Sequence, residues 1–226
     1  MSEIQWHYIF DLTLAMDSFG YILKGLGYTL GISMISMFFG TILGFLLAIM
    51  RMSTSKIISM IARTYISFMR GTPTLVFLFI LYFGFPFIGI QFKAVNAAII
   101  GFSLSSAAYS AEIIRSSLHS VDHGQWEAAY ALGLKWPFIM RKVIIPQAMR
   151  IAIPPMSNVL LDLIKGTSLA AMITVPEIFQ QAKIVGGREF DYMTMYILVA
   201  LIYWVICSVF TIFQNYLEKK TSLHID

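Results

Sequence analysis

Four stretches of this chain contain no charged residue: 25–50, 72–92, 94–111 and 193–214. Each can cross the roughly 30 Å hydrocarbon core of a bilayer as a helix of about 20 residues. Hydrocarbon offers no hydrogen-bond partners, so such runs must satisfy their own backbone and become helical. Only 12% of the 226 residues are charged and 58% are hydrophobic, whereas a soluble domain carries about 25% charged residues. The composition excludes a large soluble core and points to an all-α, multi-pass membrane protein.

The charges that remain are unevenly placed. Arg51 and Lys56 follow the first run, Arg115, Lys135, Arg141, Lys142 and Arg150 lie in or beside a central polar loop, and Lys219 and Lys220 follow the last run. The complementary loops hold Lys24, Lys93, Lys183 and Arg188, mostly near acids. Basic loops mark the cytoplasmic side, so the N-terminus is expected outside and the C-terminus inside. With that placement the net charge of +4 needs no nucleic-acid partner. The acids Glu3, Asp11 and Asp17 give the wrong flank for a cleaved signal peptide. The single cysteine, Cys207, reads as a packing residue in the last run.

Five spans follow. Residues 1–18 form an extracytoplasmic segment, 4–18 being too polar to span and suited to an interfacial helix. Span one covers 19–50, where Gly40 and Gly44 form a GxxxG pair able to seat a neighbouring helix. Span two starts near Ile57, bends at Pro73, and ends near Phe85 and Pro86. Span three covers 94–117, span four runs from Pro146 to about Thr174, and span five covers 193–216. The membrane domain is thus 19–216, with a cytoplasmic tail at 217–226. Residues 175–192, with Glu177, Lys183, Arg188, Glu189 and Asp191, read as an external segment.

Within the cytoplasmic loop at 119–146, Glu127-Ala128-Ala129-Tyr130-Ala131-Leu132-Gly133 is followed by Lys135-Trp136-Pro137 and later by Pro146. Alanines at 128, 129 and 131 give a nearly bare helix face. Gly133 suits the left-handed residue after a helix end, and Pro137 suits the first turn of the next helix. The pattern describes a helix, a sharp turn and a second helix, either as a docking surface or as a plain connection between spans.

This loop resembles the EAA signature of the membrane subunits of ATP-binding-cassette importers. Glu127, Ala128, Ala129 and Gly133 match it, and Val143-Ile144-Ile145-Pro146 supplies its ending. Gly27-Tyr28-Thr29-Leu30, Arg70-Gly71-Thr72-Pro73, the stretch from Ala108 to Arg115 and Lys165-Gly166-Thr167-Ser168-Leu169 are similar to the polar amino acid permease branch. The resemblance implies the five-helix type I importer permease fold in a bacterial plasma membrane. It implies that Glu127, Ala128, Ala129, Gly133 and Pro146 couple to a separate ATPase, two copies per complex, and that ATP and Mg are used there. It also implies a second permease copy or homologue and an extracytoplasmic amino-acid-binding protein. Gly124-Gln125-Trp126 before the signature, and Tyr192 to Trp204 near the end, look most similar to L-cystine permeases. The chain has no phosphate-cradling G-x-x-x-x-G-K-[ST] loop; the spacing at Gly20 and Gly25 is followed by Leu26.

Span four carries Asn158, Asp162 and Lys165, which share a helix face. Ionisable groups in a membrane face a cavity or pair with each other. Asp162 and Lys165 therefore either satisfy one another or meet the polar ends of a zwitterionic amino acid. With Thr167, Ser168, Arg70 and Thr72 they are the candidate substrate-path residues. Many relatives carry an acid where Gly166 stands here. Glu112 and Arg115, spaced i, i+3, read as a structural ion network, with Arg70 a further candidate member. His119 and His123 lack a third ligand, so no metal is expected. An ATP-independent secondary transporter is the alternative, kept open by the break at Pro73. An intramembrane enzyme lacks any nucleophile–base pair within the spans.

Overall fold

A computed structural model describes residues 9–222, and among these the regular structure is entirely helical. The first part of the expected interfacial segment and the end of the tail lie outside the described residues. Helices α1 (Leu12–Ile22) and α2 (Leu26–Arg51) are joined by a 3-10 turn at Leu23–Gly25 into a 40-residue helical stretch. Asp11 caps this stretch by accepting the Leu14 N–H at 3.0 Å. The helix therefore runs without a break through residues 18 and 19, where the interfacial segment was expected to meet the first span. Asp17 and Lys24 sit on exposed positions of the continuing helix, so their charge does not interrupt it.

Helix α3 (Lys56–Gly71) ends at extended Thr72, and α4 (Thr74–Phe79) starts beyond Pro73. The break is where a residue before proline is pushed out of helical conformation. A π turn at Ile80–Gly84 and a 3-10 turn at Phe85–Ile88 complete this region. Helix α5 covers Ala94–His119, α6 His123–Ala131 and α7 Trp136–Ile139. A π turn at Met140–Ile144 leads into α8 (Ile145–Gly166), and a 3-10 segment at Thr167–Ile173 follows. Helices α9 (Ile178–Glu189) and α10 (Tyr192–Ser222) close the order. Four of these stretches are long and apolar enough to cross a membrane, and Lys56–Gly71 with Thr74–Ile88, bent by 99° at their break, passes the same test only when the two are taken together.

Residues pack as two compact units. One gathers residues up to Ser36, Thr74–Phe102 and Leu161–Thr211. Its core sets Ala15 and Ile22 of α1 against Ile178, Ala182 and Val185 of α9 and Met195, Leu198 and Val199 of α10. Gly25 lies so close to the backbone of Glu177 and Ile178 that a Cβ there would collide with it. The other unit gathers Met37–Pro73, Ser103–Leu160 and residues from Ile212. In it Gly44 packs on α5, where an added Cβ would come within 2.6 Å of the Ser110 Cβ and 2.9 Å of the Ala107 carbonyl oxygen. Gly40 meets Ser106 in the same way, so the GxxxG pair does seat a neighbouring helix. Replacing Gly44 with Val should force the two helices apart and cost about 1–3 kcal/mol, the usual penalty for overpacking. Thermal unfolding in detergent measures it, and a variant as stable as the parent would mean that the contact is plastic.

Candidate functional site

The polar loop is a compact helix–turn–helix. Asp122 caps α6, its side chain accepting the Gly124 N–H at 2.8 Å. Gly133, at φ +69°, turns the chain after α6 in left-handed conformation, and its N–H donates to the Tyr130 carbonyl at 2.9 Å. The Leu134 N–H reaches the Ala129 carbonyl at 3.2 Å, the closing pattern of a helix end. Ala129 points into a small core with Val121, Ile139, Ile144 and Ala148. Gln147 of α8 donates to the Gln125 side chain at 3.2 Å, tying α6 to α8. Glu127 and Ala128 remain exposed, as do Tyr130, Leu132, Trp136 and Phe138. The result is a rigid elbow with a partly apolar outer surface.

Pro146 does not close this loop as the sequence pattern suggested. The second helix, the π turn and α8 form one stretch over Trp136–Ile173, with Pro146 in the first turn of α8. The loosened π turn lies just before the position where proline lacks an N–H.

At the far end of α8 Lys165 Nζ donates to Asp162 Oδ1 at 2.9 Å, and both side chains are exposed. The sequence spacing therefore does bring these two together. The Ser168 hydroxyl donates to the Lys165 carbonyl at 2.8 Å. Thr167 is fully buried, its hydroxyl donating to the Ile164 carbonyl at 2.7 Å. Asn158 is exposed, and Thr72 is half-buried at the end of α3.

Glu112 binds two guanidinium groups, those of Arg115 and Arg51. The Arg51 partner was not visible in the sequence, since it stands 61 residues away. Arg70 acts on Glu112 through its charge without a direct ion pair; its guanidinium lies over the Tyr109 ring, 5.5 Å from the centroid.

A second buried centre lies at Glu177, within the segment expected to be external. Its side chain is fully buried and caps α9, accepting the Phe179 N–H at 2.8 Å and the Gln180 N–H at 2.6 Å. The Tyr203 hydroxyl donates to the same carboxyl at 2.9 Å. The Tyr203 proton goes to Glu177 and the Thr167 proton to the Ile164 carbonyl, so the 3.4 Å approach of the two hydroxyls is a polar contact rather than a further donation. Burial raises the Glu177 carboxyl above its ordinary value, outweighing the hydrogen bonds and Lys183, which act in the other direction.

Residues 40–223 match the model of the binding-protein-dependent transport system inner membrane component family. The chain belongs to that family. Among relatives of this inner membrane component is a probable amino-acid ABC transporter permease protein, YckA, of Bacillus subtilis, 63% identical over 225 residues and 100% of both chains. The L-cystine transport system permease protein TcyB of the same organism is 41% identical, covering 94% of this chain and 92% of its own. A crystal structure of an amino acid ABC transporter with histidines superposes with a TM-score of 0.89 at 33% identity, covering 93% of this chain and 98% of that one. An inward-facing MetNI methionine ABC transporter gives 0.75 at 18% identity, covering 89% and 96%, a likeness of fold. The all-helical type I importer permease fold is thus that of this inner membrane component. It is a non-catalytic membrane subunit, and ATP hydrolysis belongs to separate ATPase subunits.

Proposed function

We propose that this chain is the permease subunit of an ATP-driven importer of a polar amino acid, with L-cystine or a related sulfur amino acid as substrate. The elbow around Gly133 is the observation that carries the coupling half of this reading. Glu127, Ala128 and Gly133 form the surface that sits on an ATPase, with Ala129 packed beneath it and Pro146 at the root of the helix behind it. Two ATPase copies, using ATP and Mg, close together and drive the elbow. A second permease copy completes the path, and an extracytoplasmic binding protein delivers the solute. The 41% identity to a cystine permease, with the local likeness at 124–129 and 192–204, supports the sulfur amino acid over glutamine, histidine or arginine.

Asp162, Lys165, Asn158, Ser168 and Thr72 are the candidate solute-path residues in this reading. The exposed Asp162–Lys165 pair offers one acceptor and one donor to the ammonium and carboxylate of an amino acid. Thr167 leaves the set because it is buried, and Arg70 because it joins an arginine cluster. Asp162→Ala should raise the KM for uptake about tenfold, the scale of one lost hydrogen bond to a charged group, or shift selectivity. Unchanged uptake across several amino acids would make the pair purely structural.

The deciding experiment reconstitutes the complex with its ATPase and binding protein in proteoliposomes and follows radiolabelled cystine, glutamine, histidine and arginine. ATP-dependent cystine uptake is expected. Preferred uptake of another amino acid would overturn the substrate. Uphill uptake by the chain alone would overturn the ATP-driven mechanism and favour a secondary transporter.

A further inference from the structure

A cavity of about 520 Å³ in the unit that contains the elbow is lined by Arg51, Arg63, Ser67 and Arg70, with Tyr109 at its wall. Its charge is unbalanced. Arg51 shares Glu112 with Arg115. Arg63 is exposed and makes no ion pair among the described residues, and Arg70 lies over the Tyr109 ring, feeling at longer range only the Glu112 carboxylate that Arg51 and Arg115 already hold. An amino acid zwitterion brings an ammonium for each carboxylate and would find no uncompensated acid here. The site fits a ligand with net negative charge.

Helix α3 indicates where that ligand comes from. Alone it is not among the helices able to cross a membrane. Lys56, Arg63 and Arg70 recur every seven residues along one stripe, while Ile57, Ile61 and Phe68 form a separate exposed apolar stripe. A helix with a basic stripe beside an apolar one lies in the membrane interface. Basic residues near the cytoplasmic leaflet attract anionic lipids, and guanidinium forks match phosphate oxygens. We infer that this cavity binds the phosphate headgroup of an anionic phospholipid through Arg63 and Arg70. The inference goes beyond the transport reading and does not depend on which solute is carried.

The test uses the detergent-purified complex with its ATPase, with bound lipid counted by native mass spectrometry and melting followed with added lipid. Phosphatidylglycerol should bind and raise the melting temperature, and phosphatidylcholine should do neither. The Arg63→Gln, Arg70→Gln double variant should weaken phosphatidylglycerol binding at least tenfold. Arg63→Gln alone, at an exposed side chain without an ion-pair partner among the described residues, should weaken it several-fold even if the double variant does not fold. Arg141→Gln should leave it unchanged. Binding by Arg63→Gln equal to that of the parent would overturn the site. Full displacement by millimolar inorganic phosphate would replace the lipid with a soluble anion, and displacement by the transported amino acid would return the cavity to the solute path. Either result would overturn the lipid assignment.

Discussion

A Gly133→Val chain should insert and assemble, yet import its solute roughly thirtyfold more slowly than the parent. The backbone at this residue lies at φ +69°. A non-glycine residue there costs about 1–2 kcal/mol, and a β-branched one is the least tolerated. At about 2 kcal/mol the docking-competent elbow falls by that factor. No atom lies within 4 Å of where a Cβ would stand, so the penalty is conformational rather than steric. Gly133→Asn provides the control, because asparagine visits left-handed conformation readily; it should keep most of the uptake. ATPase activity measured on the same proteoliposomes should persist in the valine variant while transport falls. Normal coupling in Gly133→Val would remove the elbow from the mechanism.

Glu177→Ala should be the most destabilising single change in the unit that contains it. It removes a helix cap, typically about 1 kcal/mol, and leaves the Tyr203 hydroxyl without its acceptor, a further 1–3 kcal/mol. A loss of about 3 kcal/mol is expected by thermal unfolding in detergent; a loss below about 1 kcal/mol would show that water replaces the carboxyl. The same group predicts a pH dependence. Its folded-state pKa is raised above the ordinary 4.5, so the folded chain holds this proton more tightly than the unfolded one. Its contribution to stability is therefore fullest below that ordinary value, declines as pH rises toward the folded pKa, and is constant beyond it. Glu177→Gln should abolish that decline, and an unchanged pH profile would refute the assignment.

The sequence was most legible where the determinants are local. The turn at Gly133, the Asp162–Lys165 spacing and the break before Pro73 each depend on a few adjacent residues, and each stands where expected. The close packing at Gly40 and Gly44 was legible for a related reason, because a missing side chain leaves the same mark on any neighbour. Arg51 and Glu112 were opaque because a 61-residue separation carries no local signature. Glu177 did not stand out because charge in a connecting segment ordinarily means water, whereas here a helix start and a tyrosine take the place of water. The continuity of α1 and α2 was hidden by Asp17 and Lys24, whose exposed positions let a charged stretch remain helical.

The bond between Glu177 and Tyr203 joins residues 26 positions apart, so the carboxyl is synthesised well before its hydroxyl partner. Until the final helix enters the bilayer, this acid lacks the Tyr203 hydroxyl and keeps the hydrogen bonds from the Phe179 and Gln180 amides. The unit that houses it becomes fully satisfied late in biogenesis, which makes the last helix a clasp as well as a wall.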